Sequence, residues 1–103
     1  MTWSIQHSPP GLRVAGELDF TRAEPLSHAL TEALLLDHHI HVNLRQLSYI
    51  DAACVSLILR AAQSLPADRS LTVLCHGLVH EMFTLVCPAD RSPLRIHAAH
   101  GQP

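Results

Sequence analysis

The sequence predicts a single α/β domain with a largely parallel sheet that is entered through a hairpin. Two short alternating segments are separated by the turn signal Pro9-Pro10-Gly11, and further alternating segments then take turns with amphipathic stripes of roughly 10–15 residues. With 103 residues, 48% of them hydrophobic and 16% charged, the chain holds one core and lacks the length for two.

A first strand is expected near 3–7 and a second at about 12–16, where Leu12 and Val14 alternate with Arg13. Thr21-Arg22-Ala23-Glu24 has the spacing of a capping box, and Leu26, Leu30, Ala33 and Leu34 follow at i, i+4, i+7 and i+8 as the stripe of a helix. Pro25 has no N–H to give, so regular helix begins no earlier than about 22–25. Asp37-His38-His39 ends the stripe. Ile40, Val42 and Leu44 then alternate with His41, Asn43 and Arg45 as a strand, and Leu47-Ser48-Tyr49-Ile50 runs on to Asp51.

From Val55 the apolar residues fall at 55, 58, 59 and 62, which sets a second helix over about 52–64 with Asp51 as its N-cap and Pro66 as its stop. Ser70 to Cys75 reads as another strand, and Gly77 turns the chain into a third helical stripe of Val79, Met82, Phe83 and Val86, ended by Pro88. Leu94-Arg95-Ile96 is the last strand and His97 to Pro103 a tail. Right-handed crossovers place consecutive helices on one face unless the strand order reverses.

The formal net charge of -2 argues against a nucleic-acid binder, because phosphate affinity needs clustered cations. There is no lysine, and the seven cations are arginines spread from Arg13 to Arg95. Protonating all nine histidines would carry the charge from -2 to +7, between about pH 5 and 7. Cys54, Cys75 and Cys87 are odd in number, sit among apolar residues and form no CxxC, so they read as reduced core thiols. The N-terminus lacks a basic segment followed by an apolar run, and no stretch approaches the roughly 18 apolar residues of a membrane span. A cytoplasmic protein is expected.

Enzyme chemistry finds no support. Gly11 and Gly16 lie five apart with no following Gly or Lys, which is neither a dinucleotide fingerprint nor a phosphate loop, and no G-x-S-x-G elbow occurs. His76 and His80 have a spacing that can put two imidazoles on one helix face, and His38-His39-x-His41 adds three more. A metal site needs three or four convergent ligands, so these are read as surface histidines with no metal or cofactor assigned.

The most informative segment is Tyr49-Ile50-Asp51-Ala52-Ala53-Cys54-Val55. A strand ends, Asp51 caps a helix, and small residues occupy the first turn, where the N–H groups point outward. The outward face would carry Ala53, Ser56, Arg60 and Gln63, a small and weakly polar surface suited to docking.

Gly16-Glu17-Leu18-Asp19-Phe20-Thr21-Arg22-Ala23-Glu24 resembles the G-E-L-D-x-x-T-A-E signature that opens STAS domains, the anti-sigma-factor antagonist family. His41 to Asp51 resembles that family's central strand with its aromatic-Ile-Asp ending, and the similarity extends from about residue 5 to 96. The resemblance implies one STAS domain over 1–103, with a core at about 3–97, a flexible tail at 98–103, a sheet of four to five strands and about three to four flanking helices. It also implies an antagonist that binds the ATPase-fold kinase domain of an anti-sigma factor and releases the sigma factor. Its docking surface falls here on Asp19, Thr21, Asp51, Ala52, Ala53, Cys54, Ser56 and Arg60.

Where the family has Asp-Ser-Ser-Gly this chain has Asp51-Ala52-Ala53-Cys54, so the phosphorylatable position falls on Ala53 and the off-switch is lost. Cys54 in place of glycine adds bulk where a partner helix would approach. Ser56, one turn further on, and Ser48, in the preceding loop, are the alternative phosphosites. The expected function is a switchless antagonist. A scaffold or accessory subunit of a lipid-transport or sensory complex is the alternative, and a homodimer stays open.

Overall fold

Pro10 and Gly11 turn the chain between the first two strands. In the computed structural model, which describes residues 3–8, 10–66, 68–86 and the backbone of 94–98, β1 (Ser4–His7) pairs antiparallel with β2 (Gly11–Leu18), setting Ile5 opposite Val14. Only glycine fits at position 11. Its φ is +150°, and a Cβ there would collide with the His41 carbonyl oxygen of the neighbouring strand.

The sheet has five strands in the order β1-β2-β3-β4-β5, with β3 (His39–Ile50), β4 (Ser70–Cys75) and β5 (Leu94–Ala98) each parallel to the strand before it. Strand order follows chain order without reversal. Right-handed crossovers therefore put α1 (Ala23–Leu36), α2 (Ala52–Gln63) and α3 (Gly77–Val86) on one face, where α1 packs on α2 and α2 on α3. The expected α/β architecture with its opening hairpin is the one observed.

Between helices and sheet lie the fully buried Val14, Leu26, Ile40, Val42, Ile58 and Phe83, with the other core residues around them. Each helix buries most of the stripe that its spacing predicts, Leu26, Leu30 and Ala33 in α1, Val55, Ile58 and Ala62 in α2, Val79 and Phe83 in α3, while Leu34, Leu59, Met82 and Val86 are half-buried at its margins. The other face of the sheet carries no helix among the described residues, and Arg13, His39, His41 and Arg45 stand exposed there.

The start of α1 differs from expectation. The capping box does not form: Asp19, not Thr21, caps a short 3-10 helix (Phe20–Arg22), accepting from the Thr21 N–H at 3.0 Å, and α1 begins at Ala23 with no side-chain cap. The Asp19 carboxylate also accepts from the Thr21 hydroxyl, which takes that hydroxyl away from the helix. Pro25 sits as the third residue of α1, inside the first turn, where no N–H is required.

The second half of β3 breaks strict alternation, with Leu44, Leu47 and Ile50 all buried at a spacing of three. Two bulges resolve this. While β2 advances from Arg13 to Ala15, β3 advances from Asn43 to Gln46, and while β2 steps from Gly16 to Glu17, β3 steps from Leu47 to Tyr49. Each extra β3 residue turns the next leucine or isoleucine back to the core. The Asn43 side chain steadies the first bulge by accepting from the Arg45 N–H at 3.0 Å. His76 donates from Nε2 to the Arg45 carbonyl, 2.8 Å away. The second bulge contains Ser48, whose hydroxyl donates to the Gly16 carbonyl at 3.0 Å, so Ser48 belongs to a strand and not to a loop.

β5 reaches Ala98, so His97 and Ala98 belong to the sheet and not to the tail. Residues 99–103, together with Cys87 and Pro88, lie outside the described residues.

Candidate functional site

Because β2, β3 and β4 are parallel, their C-terminal ends share one edge of the sheet, and the chain leaves that edge into the 3-10 helix, α2 and α3. Asp51 ties the edge together. Its Oδ1 accepts from the Cys54 N–H at 2.9 Å, the N-cap bond of α2, while its Oδ2 accepts from the Phe20 N–H at 2.9 Å and its own N–H donates to the Leu18 carbonyl at 3.1 Å. One carboxylate thus fixes the start of α2 against the end of β2. Asp19 and the first turn of α2 become neighbours, 32 residues apart in sequence at Asp19 and Asp51.

Asp19 is held by its own turn. The hydroxyl and N–H of Thr21 stabilise its ionised form, and with Arg22 at 3.5 Å they lower its pKa below the ordinary value despite some desolvation. Arg22 in turn lies over the Trp3 ring at 4.9 Å.

The structure brings most of the expected docking residues to this edge and to the adjoining flank of α2. Thr21, Ala52, Ala53 and Arg60 are exposed, and Asp19, Asp51 and Ser56 are half-buried. Cys54 is the correction. It is fully buried, and its thiol donates to the Asp19 carbonyl at 3.2 Å, so its bulk points into the core and not toward a partner. Burial, with the Asp51 carboxylate beside it, pushes this thiol up to about 12. Cys75, buried under the helices, is pushed up by burial to about 11. Neither is a nucleophile near neutral pH, in line with reading both as core thiols.

Ala53 and Arg60 also line a groove of about 390 Å³ between α1 and α2, with Leu30, Leu34 and Leu57 on its walls. Sequence reasoning missed the large apolar residues at the same end of the sheet: Phe20 is 70% exposed, Tyr49 48% and Leu78 67%. Phe20 follows the Asp19 cap, Tyr49 pairs with Glu17 at the end of β3, and Leu78 lies in the first turn of α3. The signal available for Phe20 and Tyr49 was their place beside Asp19 and Asp51, but β3 alternation read without bulges hides which way Tyr49 faces. His76, one of the spaced histidine pair, is engaged on Arg45, and among the described residues no three His, Cys, Asp or Glu side chains gather as metal ligands.

A hairpin-entered parallel sheet with its helices on one face and a capped helix start at its C-terminal edge defines a STAS-type α/β module. The chain belongs to the STAS-domain family described as "Mlab, STAS domain", whose model matches residues 1–87. Among solved structures it is similar to an anti-sigma factor antagonist from Mycobacterium paratuberculosis, with TM-score 0.72 and 15% identity over 91% of this chain and 84% of that one. It is also similar to the anti-sigma factor antagonist SpoIIAA in its unphosphorylated form, with TM-score 0.64 and 18% identity over 96% of this chain and 90% of that one. An uncharacterised protein from Shewanella loihica with a SpoIIAA-like fold matches with TM-score 0.53 and 14% identity, over 93% and 84% of the two chains. No curated protein matches the chain. Among the described residues no helix is long and apolar enough to cross a membrane.

Proposed function

We propose that this protein is a cytoplasmic, non-enzymatic binding regulator: an anti-sigma factor antagonist that docks on the ATPase-fold kinase domain of an anti-sigma factor and has no phosphorylation off-switch. The observation that carries the reading is the Asp51 carboxylate, which bonds both the Phe20 and the Cys54 N–H and so holds Asp19 beside an α2 first turn made of Ala52 and Ala53. On this reading the acidic docking edge is kept while the family's phosphoryl-acceptor position, Ala53, carries only a methyl group. Partner contacts would come from Asp19, Thr21, Ala52, Ala53, Ser56 and Arg60, with Phe20, Tyr49 and Leu78 as apolar anchors.

The two alternative phosphosites fit less well. Ser56 is half-buried, and the Ser48 hydroxyl is engaged with the Gly16 carbonyl. The test is co-purification of the protein with anti-sigma-type kinases of its own genome, with and without Asp19→Arg. Retention of such a kinase, lost in Asp19→Arg, supports the reading, and retention of none removes it.

A second reading, a scaffold or accessory subunit of a lipid-transport or sensory complex using the same edge, rests on the resemblance to STAS domains, a family that also supplies such subunits. The neighbouring genes separate the two. An adjacent ATP-binding transport cassette supports the subunit, and an adjacent anti-sigma kinase supports the antagonist.

A further inference from the structure

On the flank of α1 away from α2, a shallow groove of about 750 Å³ runs along β1, floored by Trp3, Ile5 and Ala29 and bordered by the Glu24, His28 and Glu32 side chains. β1 is the first strand in the sheet order, and among the described residues nothing pairs with its outer edge, so alternate N–H and C=O groups face outward. The groove and the strand edge lie side by side. α1 crosses back from the end of β2 to the start of β3, antiparallel to β2, and therefore runs in roughly the direction of β1, which it touches.

We propose that this edge and groove bind an extended peptide that adds to the sheet as a sixth strand and carries basic residues four apart with an apolar residue midway between them. The spacing follows from the two repeats. Glu24 and Glu32 are eight residues apart on α1, about 12 Å along the helix at 1.5 Å per residue. Side chains four apart on one face of a strand are about 13–14 Å apart. The residue midway between them, on the same face, falls level with His28, the helix residue midway between the two carboxylates, and meets the apolar floor of Ile5 and Ala29 beside it.

Charge selects the occupant. The groove lining has two carboxylates and no arginine or lysine, and the nearby Arg22 is already paired with Asp19 at 3.5 Å and stacked on Trp3. Glu32 has His28 at 3.8 Å, and both are well exposed, so the carboxylate is free to turn toward a stronger cation. An acidic strand is repelled from the same place. Strand addition of this kind supplies main-chain bonds for affinity and side-chain pockets for choice of sequence.

The test uses the whole protein, nitrogen-15 labelled, with the capped peptide Thr-Arg-Thr-Val-Thr-Arg-Thr and its control Thr-Glu-Thr-Val-Thr-Glu-Thr. The expected result is saturable chemical-shift change confined to residues 4–7 and 24–32, slowed hydrogen exchange in β1, no response to the control, and about fivefold weaker binding in Glu24→Gln/Glu32→Gln. Both substituted side chains are exposed, so the variant keeps its fold. No saturable change at millimolar peptide, equal binding of the control, or binding without slowed exchange in β1 would overturn the proposal. So would a homodimer through β1 that excludes the peptide, seen by sedimentation.

Discussion

Asp51 shows how much one carboxylate can organise. It caps α2 through Oδ1 and holds the Phe20 N–H through Oδ2, so a single change disconnects the helix start from the Asp19 turn. Asp51→Ala is expected to cost about 1–2 kcal/mol in urea unfolding, and Asp51→Asn, which keeps one acceptor, less than Asp51→Ala. The capping role was legible from Asp51 standing before an apolar period. The second bond was not, because nothing in a linear sequence brings residue 20 to residue 51. The two buried thiols give a pH dependence of definite sign. Cys54 and Cys75 ionise near 9 in the unfolded chain but only at about 12 and about 11 in the folded one, so between these limits the native state binds more protons. Stability is fully present below about pH 9 and falls as pH rises toward 11. Urea midpoints at pH 8 and pH 10.5 check this. Both thiols should also resist a thiol reagent at pH 8 until the protein is unfolded.

At the scale of elements, the helices were legible because a buried stripe repeats every three or four residues, and Leu26, Leu30, Val55, Ile58, Val79 and Phe83 are buried as their spacing requires. The far end of β3 was not. Leu44, Leu47 and Ile50 fit neither the strand period nor a helix, and only pairing with β2 reveals the two bulges that reconcile them. Asn43→Ala removes the acceptor for the Arg45 N–H and is expected to cost about 1 kcal/mol. Hydrogen exchange should quicken at the Arg45 amide and stay unchanged in α2. The turns separate two kinds of glycine. Gly77 has φ +61° with open space where a side-chain methyl would stand, so Gly77→Ala brings backbone strain alone, about 1 kcal/mol. Gly11→Ala drives a methyl into the His41 carbonyl oxygen as well, and is expected to cost about 3 kcal/mol or more by urea unfolding.

At the scale of the whole molecule, the three helices on one face leave stability and partner docking to different places. The core sits between helices and sheet, whereas the proposed docking edge lies on exposed and half-buried residues at the C-terminal ends of the strands, so one substitution can move the two properties in opposite directions. Ala53 is the position that tests this. It is exposed and is the second residue of α2, where the positive end of the helix dipole favours an acidic side chain. Ala53→Glu is therefore expected to raise stability by about 0.3–1 kcal/mol, read from the urea midpoint. The same substitution adds charge and bulk to the proposed docking edge, and if that edge binds the anti-sigma kinase it is expected to weaken the binding. Ala53→Gln, which carries the bulk without the charge, divides the loss into its two causes. A more stable protein that binds its partner less tightly is the expected outcome, and undiminished binding by Ala53→Glu would move the docking surface elsewhere.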